Sequence, residues 1–324
     1  MKLTHCKQRK INKMDIDTPI LVPSFSSKGF KDVGEMYTYF KDYLLEASLV
    51  SAYDLHYGHI QHDKIYESEI VFIDSGGYER DKEHDLSDIY GDDYKPKVWN
   101  EKLHLAQIEK VEPLSRIVMI NYDYIRRLPL ELQIEKAENS FRQFPEFSSD
   151  FLCKPISENS AYIDIDDYCN SINKMSSFSI LGFTEKELGS SVIERCKNIL
   201  RIRKALEQAD LDIPIHVFGC LDPLNIMVYF LSGADIFDGL SWLRFSFNHG
   251  IPTYFNSYAI QNGLWKFDDL EVKALALMEN IQYLSNLKNQ MMAFTHSYDW
   301  DALELESNIL NQIQNLLRKI EEGA

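Results

Sequence analysis

The sequence predicts a (β/α)8 TIM barrel with C-terminal helices. Eight short, β-rich apolar runs bounded by turn residues occur in order, and helical patterns lie between most of them. Most runs are continuously apolar rather than alternating, the pattern of parallel strands buried on both faces. No domain-sized linker, internal repeat or low-complexity tract interrupts the series. A doubly wound open sheet is the alternative for the same element order.

The first run is Pro19–Phe25, followed by an amphipathic stretch, Lys31–Glu46. The second, Ser48–Leu55, stands close to the third, Ile70–Ser75, so a degenerate crossover helix is expected between them. Lys97–Val111, Pro129–Phe144 and Asp164–Lys174 read as helices after the third, fourth (Arg116–Tyr124) and fifth (Asp150–Ser157) runs. The sixth, Phe178–Thr184, leads into the long helical pattern Gly189–Ala209. The seventh, Ile215–Cys220, leads into Asp222–Leu231, which starts with Asp-Pro, an N-cap followed by Pro at the first helical position. The eighth is Ala234–Leu240. Beyond it Asp268–Asn289 and Asp301–Glu321 are periodic helices that close the barrel bottom or form an appended unit, and no strand pattern is expected there. The expected division is a catalytic barrel over residues 1–245 and a helical extension packed on it over 246–324.

The chain has 324 residues, with 34 Lys+Arg against 50 Asp+Glu and a net charge of −16. With 45% hydrophobic residues it is neither disordered nor fibrous. The acidic balance argues against holding nucleic acid by bulk basicity but leaves a locally basic groove open. The five cysteines are odd in number, widely spaced and without a CxxC, which reads as reduced thiols in a cytoplasmic protein. The basic N-terminus has no apolar core of a signal peptide, and no run of about 18 apolar residues exists to enter a membrane.

In such a barrel the active site lies at the C-terminal ends of the strands. There the third run ends in Asp74-Ser75-Gly76-Gly77-Tyr78, the fourth in Tyr122-Asp123, the sixth at Gly182, the seventh at Gly219, and the eighth in Phe237-Asp238-Gly239. One Asp at a strand end is as readily the cap of the next helix. Three on one rim, two of them beside glycines that admit a ligand closely, favour a site. Paired carboxylates suit displacement at a sugar carbon, one as nucleophile and one as proton carrier. A third can accept from a guanine-like N1–H and exocyclic amine.

Thr18-Pro19-Ile20-Leu21-Val22-Pro23, Asp74-Ser75-Gly76-Gly77-Tyr78-Glu79, Ile180-Leu181-Gly182-Phe183, His216-Val217-Phe218-Gly219 with Asp222-Pro223, and Gly233-Ala234-Asp235-Ile236-Phe237-Asp238 with Arg244 occur in this order. Together they resemble the tRNA-guanine transglycosylase superfamily, whose enzymes exchange guanine for a 7-deazaguanine base. The resemblance implies Asp238 as nucleophile and Asp74 as general acid/base. It implies substrate binding by Ser75, Gly76, Gly77, Tyr78 (stacked on the base), Asp123 (base recognition), Gly182 (backbone contacts to the base edge), Phe183, Gly219, Asp235 and Arg244. Asp235 is as readily a residue that orients the strand end. The chain departs from the family in three places. No cysteine follows Cys220, so the family's zinc motif is absent and no cofactor is expected. Its base-reading Gln after the fifth strand is missing, and Glu79 stands where the family has Gln.

Other signals carry less. His56, His59 and His62 read as a helix or loop face rather than a metal site. Cys220 reads as a buried thiol. The acidic stretch Glu79–Asp93 reads as a solvated loop or a lid. Basic residues crowd the N-terminus (Lys2, Lys7, Arg9, Lys10, Lys13), positions Arg126 and Arg127, and one helix (Arg195, Lys197, Arg201, Arg203, Lys204), either to meet phosphates or as solvated faces. Arg244, beside Trp242, is the best single candidate for a sugar or phosphate contact.

The leading expectation is a base-exchange glycosyltransferase acting on a nucleic acid, tRNA or DNA, with a guanine or 7-deazaguanine base as co-substrate. A protein partner or a homodimer stays open. The alternatives are a 7-deazaguanine-related enzyme of an anti-phage defence cluster acting on a nucleotide or a modified protein, and a non-catalytic base-binding or scaffold barrel.

Overall fold

The computed structural model describes residues 3–80 and 95–322. Eight parallel strands form one sheet: β1 (Ile20–Pro23), β2 (Ala47–Ser51), β3 (Ile70–Asp74), β4 (Arg116–Ile120), β5 (Ser148–Cys153), β6 (Ile180–Thr184), β7 (Ile215–Phe218) and β8 (Ile236–Gly239). β1 pairs with β8 from Ile20–Ile236 to Pro23–Gly239. β1 and β2 meet just past the end of β1 at the Ser24–Leu49 bridge, where Phe25 N–H donates to Leu49 O at 3.1 Å. The sheet therefore curls into the (β/α)8 barrel, joined most lightly between β1 and β2, and not into an open doubly wound sheet.

The crossovers carry α1 (Val33–Phe40), α2 (Ala52–His56), α3 (Gly77–Arg80), α4 (Glu101–Ile108), α5 (Leu130–Phe141), α6 (Ile165–Asn170), α7 (Val192–Gln208) and α8 (Pro223–Leu231). Side-chain caps fix several starts. Asn100 accepts from Leu103 N (3.0 Å), Ser191 from Glu194 N (3.3 Å), and Asp222 from Asn225 N (3.0 Å) with Pro223 at the first position. The β2–β3 crossover is degenerate, with the five-residue α2 and a 3-10 stretch at His62–Glu67. The second apolar run does not stay extended to Leu55. The Ser51 hydroxyl accepts from Asp54 N and turns the chain into α2.

After β8 come α9 (Ser241–Arg244), β9 (Ser246–Asn248), β10 (Ile251–Thr253), α10 (Phe255–Gln261), α11 (Asp269–Ser297) and α12 (Ser307–Glu322). The antiparallel β9–β10 hairpin corrects the strand-free reading of this region, because three-residue strands are too short to show alternation. α11 runs past Asn289 to Ser297 and stops where Tyr298 turns left-handed (φ 54°). Asn280 of α11 ties it to the barrel, accepting from Phe247 N and donating to Trp242 O and Phe245 O, all at 2.7 Å. No helix among the described residues is long and apolar enough to cross a membrane.

Side chains on each strand alternate between the barrel interior and the helix layer. Val22, Leu49, Phe72, Ile120, Ile180 and Ile236 fill the interior, while Leu21, Val50, Ile73, Met119, Phe183 and Phe237 face the helices. The floor is closed by the N-terminal segment, which the Lys10–Asp17 bridge folds back so that fully buried Ile11 joins the interior group. The C-terminal helices do not close it. The described N-terminal basic residues make their contacts within and around this plug. Lys13 Nζ donates to Pro145 O (3.0 Å), Lys7 pairs with Asp212 (2.9 Å), and Lys10 pairs with Asp15, while Lys2 lies outside the described residues.

Asp235 precedes β8 and so lies at this lower end, opposite the expected site. Arg9 Nη1 reaches its Oδ1 at 2.8 Å, Arg203 Nη2 pairs with Oδ2, and Ile215 N donates to Oδ2 at 2.8 Å. Both guanidinium groups are buried. Removing one partner of such a cluster strands charge in the interior. Asp235→Ala is expected to lower stability by about 3–5 kcal/mol in urea unfolding at pH 7. A loss below about 1 kcal/mol, the scale of an exposed pair, would show that the cluster carries no such load.

Candidate functional site

Asp74 ends β3 at the upper mouth, and its Oδ2 accepts from Gly76 N at 3.0 Å. Gly76 has φ +79°, and a Cβ there would stand 2.7 Å from Trp99 Nε1, so the turn requires glycine. Trp99 Nε1 in turn donates to Ser75 O at 2.8 Å and pins the loop. Burial pushes the Asp74 carboxyl up to about 6, against the Gly76 and Ser75 N–H groups and with help from the charges of Asp238 and Asp123.

Asp238 lies on β8 with its side chain inward, 6% exposed. Its Oδ2 accepts from Ser24 Oγ at 2.8 Å and its Oδ1 from Gly219 N at 3.1 Å. His216 Nε2 stands 3.2 Å from Oδ1, an ion-pair contact rather than a well-aligned hydrogen bond. On the other side of the ring His216 Nδ1 lies 2.6 Å from Asp150 Oδ2. Burial alone would push the imidazole down, but Asp150 and then Asp238 outweigh it and raise His216 to about 9.

The other expected residues divide. Asp123 reaches the rim, where a Cβ on Gly77 would stand 2.9 Å from its Oδ2, and Lys154 Nζ lies 3.5 Å from that oxygen. Tyr78 carries Lys28 Nζ 4.3 Å from its ring centre, and its hydroxyl accepts from Arg244 Nη2 at 3.3 Å. Gly219 donates directly to Asp238. Gly182 points into the barrel but is covered, since a Cβ there would run into the Phe218 ring and stand 2.7 Å from Asp150 Oδ1. Its absent side chain makes room for the interior packing. Phe183, one residue on, faces the helix layer against Tyr168 (5.9 Å between centroids), so strand parity removes it from the mouth. Asp235 sits at the far end.

Several of the basic side chains outside the N-terminus already face carboxylates. Arg203 is buried on Asp235, Arg195 pairs with Glu185 (3.1 Å), Arg201 pairs with Asp166, and Arg127 pairs with Glu187 (3.0 Å). His56, His59 and His62 pack on Trp99, Tyr53 and Tyr66, and among the described residues no three His, Cys, Asp or Glu side chains gather as a metal site. Cys220 is buried. From 81 to 93 the acidic stretch lies outside the described residues.

Sequence reasoning passed over Ser24, Asp150, His216 as a charged group, and a second carboxyl layer behind Asp74. There Glu79 bonds Ser26 Oγ, and Asp54 Oδ2 accepts from Ser27 N at 2.9 Å. Burial raises Asp54 to about 7, with Asp74 adding to it. Burial raises Glu79 to about 8, with Asp54 and Asp74 adding to it. Period-two parity from Ile180 and Ile215 would have placed Gly182 and His216 in the interior.

A carboxyl whose folded pKa exceeds its unfolded one binds its proton more tightly in the fold. Its stabilisation is full below about pH 4 and is lost as pH rises through the folded value. His216 behaves alike, losing its contribution between about pH 6.5 and 9. The thermal midpoint is therefore expected to fall from pH 6.5 to 8.5, and less steeply in Glu79→Gln. An equal slope in the variant would mean that Glu79 does not hold its proton.

Neither protein-family models nor curated proteins match this chain.

Proposed function

We propose that the barrel mouth exchanges a base at a ribosyl carbon, with Asp238 as nucleophile and Asp74 as general acid and base. One observation carries this reading. Two inward carboxyls on β3 and β8 share the mouth in opposite environments. Donors converge on Asp238, while burial and the Asp238 charge hold a proton on Asp74 up to about pH 6. A carboxyl that keeps its proton suits the acid, and one met by fixed donors suits the nucleophile.

Asp238 Oδ2 is the attacking atom. Its hydroxyl partner Ser24 has a second acceptor, Val22 O at 3.4 Å, to turn to. The bond from Oδ2 to C1′ forms as the glycosidic C1′–N9 bond breaks, and its electron pair leaves with guanine, which takes the Asp74 proton. An incoming base then gives its N9 proton to Asp74, attacks C1′ and returns the electron pair to Asp238. Asp123 is placed to accept from guanine N1–H and the exocyclic amine. The resemblance of segments 74–79 and 233–244 to the tRNA-guanine transglycosylase superfamily supports the assignment of both aspartates.

The polymer is the leading acceptor, tRNA or DNA, with guanine or a 7-deazaguanine base incoming. A second acceptor, a free guanosine nucleotide, is favoured by one feature: Arg127, Arg195, Arg201 and Arg203 already face carboxylates.

Radiolabelled guanine incubated with tRNA, DNA or guanosine nucleotides is expected to enter one of them. Asp238→Ala and the isosteric Asp238→Asn should each cut incorporation by at least about a thousand-fold. Label entering no acceptor rejects base exchange, and label entering with both variants rejects Asp238 as nucleophile.

A further inference from the structure

We infer that Asp150 and His216 form a buried ion couple that holds Asp238 as an oriented anion, with the His216 imidazolium as its positioning counter-ion. This rests on Asp238 being the nucleophile and names a role that the two-carboxylate scheme leaves open. The three side chains come from β5, β7 and β8 and meet in the barrel interior: Asp150 Oδ2 to Nδ1 at 2.6 Å, then Nε2 to Asp238 Oδ1 at 3.2 Å. Asp150 and His216 are fully buried.

With a single ring proton, Nδ1–H serves Asp150 and the Nε2 lone pair faces a carboxylate oxygen at 3.2 Å. That contact is repulsive unless a proton lies on Nε2 or on Asp238. Gly219 N–H and Ser24 O–H already point at Asp238, which favours the anion and places the proton on Nε2. Charged groups face the ring from two sides, Asp150 on β5 and Asp238 on β8. Asp74 on β3 acts on Asp238 beyond it. The remaining neighbours are Phe72 and Phe218, whose ring centroids lie 5.5 and 3.9 Å from the imidazole, and they keep the ring in one plane.

The fold gives the couple its path. Gly182 on β6 lies between β5 and β7, and a Cβ there would crowd Asp150 Oδ1 at 2.7 Å. A buried ion pair gains little over apolar packing of the same volume, because desolvating both charges offsets their attraction. The couple's effect is on the reaction. A fixed positive charge behind Oδ1 keeps Oδ2 anionic for attack and stabilises the carboxylate again when it leaves the glycosyl ester. The imidazolium keeps its proton through both halves.

The test reads the ring directly. In full-length chain labelled with 15N-histidine, and with His216→Gln to assign the signals, both His216 ring nitrogens are expected to be protonated at pH 7.5 and to titrate near pH 9. Asp150→Asn should lower that titration by at least about one pH unit. A ring with one bare nitrogen at pH 7.5 in the unaltered chain overturns the couple, with no variant needed. In the exchange assay Asp150→Asn should lower kcat at least about tenfold with KM little changed, and should bring the alkaline fall in rate to lower pH. An unchanged pH profile overturns the positioning role. If no acceptor takes label, a doubly protonated ring leaves the couple standing while the nucleophile reading of Asp238 falls.

Discussion

An eight-stranded parallel barrel has an interior only as wide as the side chains that fill it, and every second residue of every strand must help fill it. In this chain aliphatic and aromatic side chains share the interior with a set of ionisable ones. Asp74, Asp150, His216 and Asp238 all occupy inward positions set by strand register. Their presence in a dry core determines much else. Ser24 and Gly219 are where they are because Asp238 needs donors, and Gly182 is bare because Phe218 and Asp150 occupy the space beside it.

The two ends of the barrel solve the burial of charge differently. Below, Asp235 is clamped by two arginines and a backbone N–H, so every formal charge has a partner. Above, carboxyls outnumber the buried cations. Asp54, Asp74 and Glu79 meet mainly hydroxyls and N–H groups, and they keep protons into the neutral range instead of being neutralised by a cation. A structural cluster minimises such tension, whereas a site that moves protons keeps groups near the pH at which they exchange them. On this ground, independent of any motif, the upper end is the candidate site.

The barrel was legible in the sequence because continuous apolar runs and intervening helical patterns are properties of single segments. Asp74, Asp123 and Asp238 were legible for a related reason: they end such runs. What was not legible depends on parity and on distance along the chain. Phe183 and Gly182 are adjacent in sequence yet face opposite layers, and which faces inward follows only once the strand's parity is fixed, here by Ile180 in the interior. Asp235 and Asp238 share one motif yet sit at opposite ends of a short strand, and the partners that explain Asp235, Arg9 and Arg203, come from distant segments. The crowding of Arg195, Arg201 and Arg203 on one helix suggested an anion surface, but each finds its own carboxylate. The β9–β10 hairpin escaped because three-residue strands carry no periodic signal.

The net charge of −16 gains meaning from this accounting. Positive charge near the mouth is placed by aromatic rings: Lys28 lies 4.3 Å from the Tyr78 ring centre, Arg80 5.4 Å from Tyr122, and Arg244 6.0 Å from Phe30. Such cation–π contacts help to fix a cation at a chosen spot. A polyanionic acceptor would thus meet an acidic surface with a small cationic ring at its opening. Beyond a Debye length of about 8 Å at physiological ionic strength, repulsion from the rest of the surface is largely screened. Under the proposed base exchange the acceptor would then be selected by what can reach the mouth, an extruded nucleotide or a free one, and not by long-range attraction. That is the opposite of a basic groove that gathers nucleic acid first and searches it afterwards.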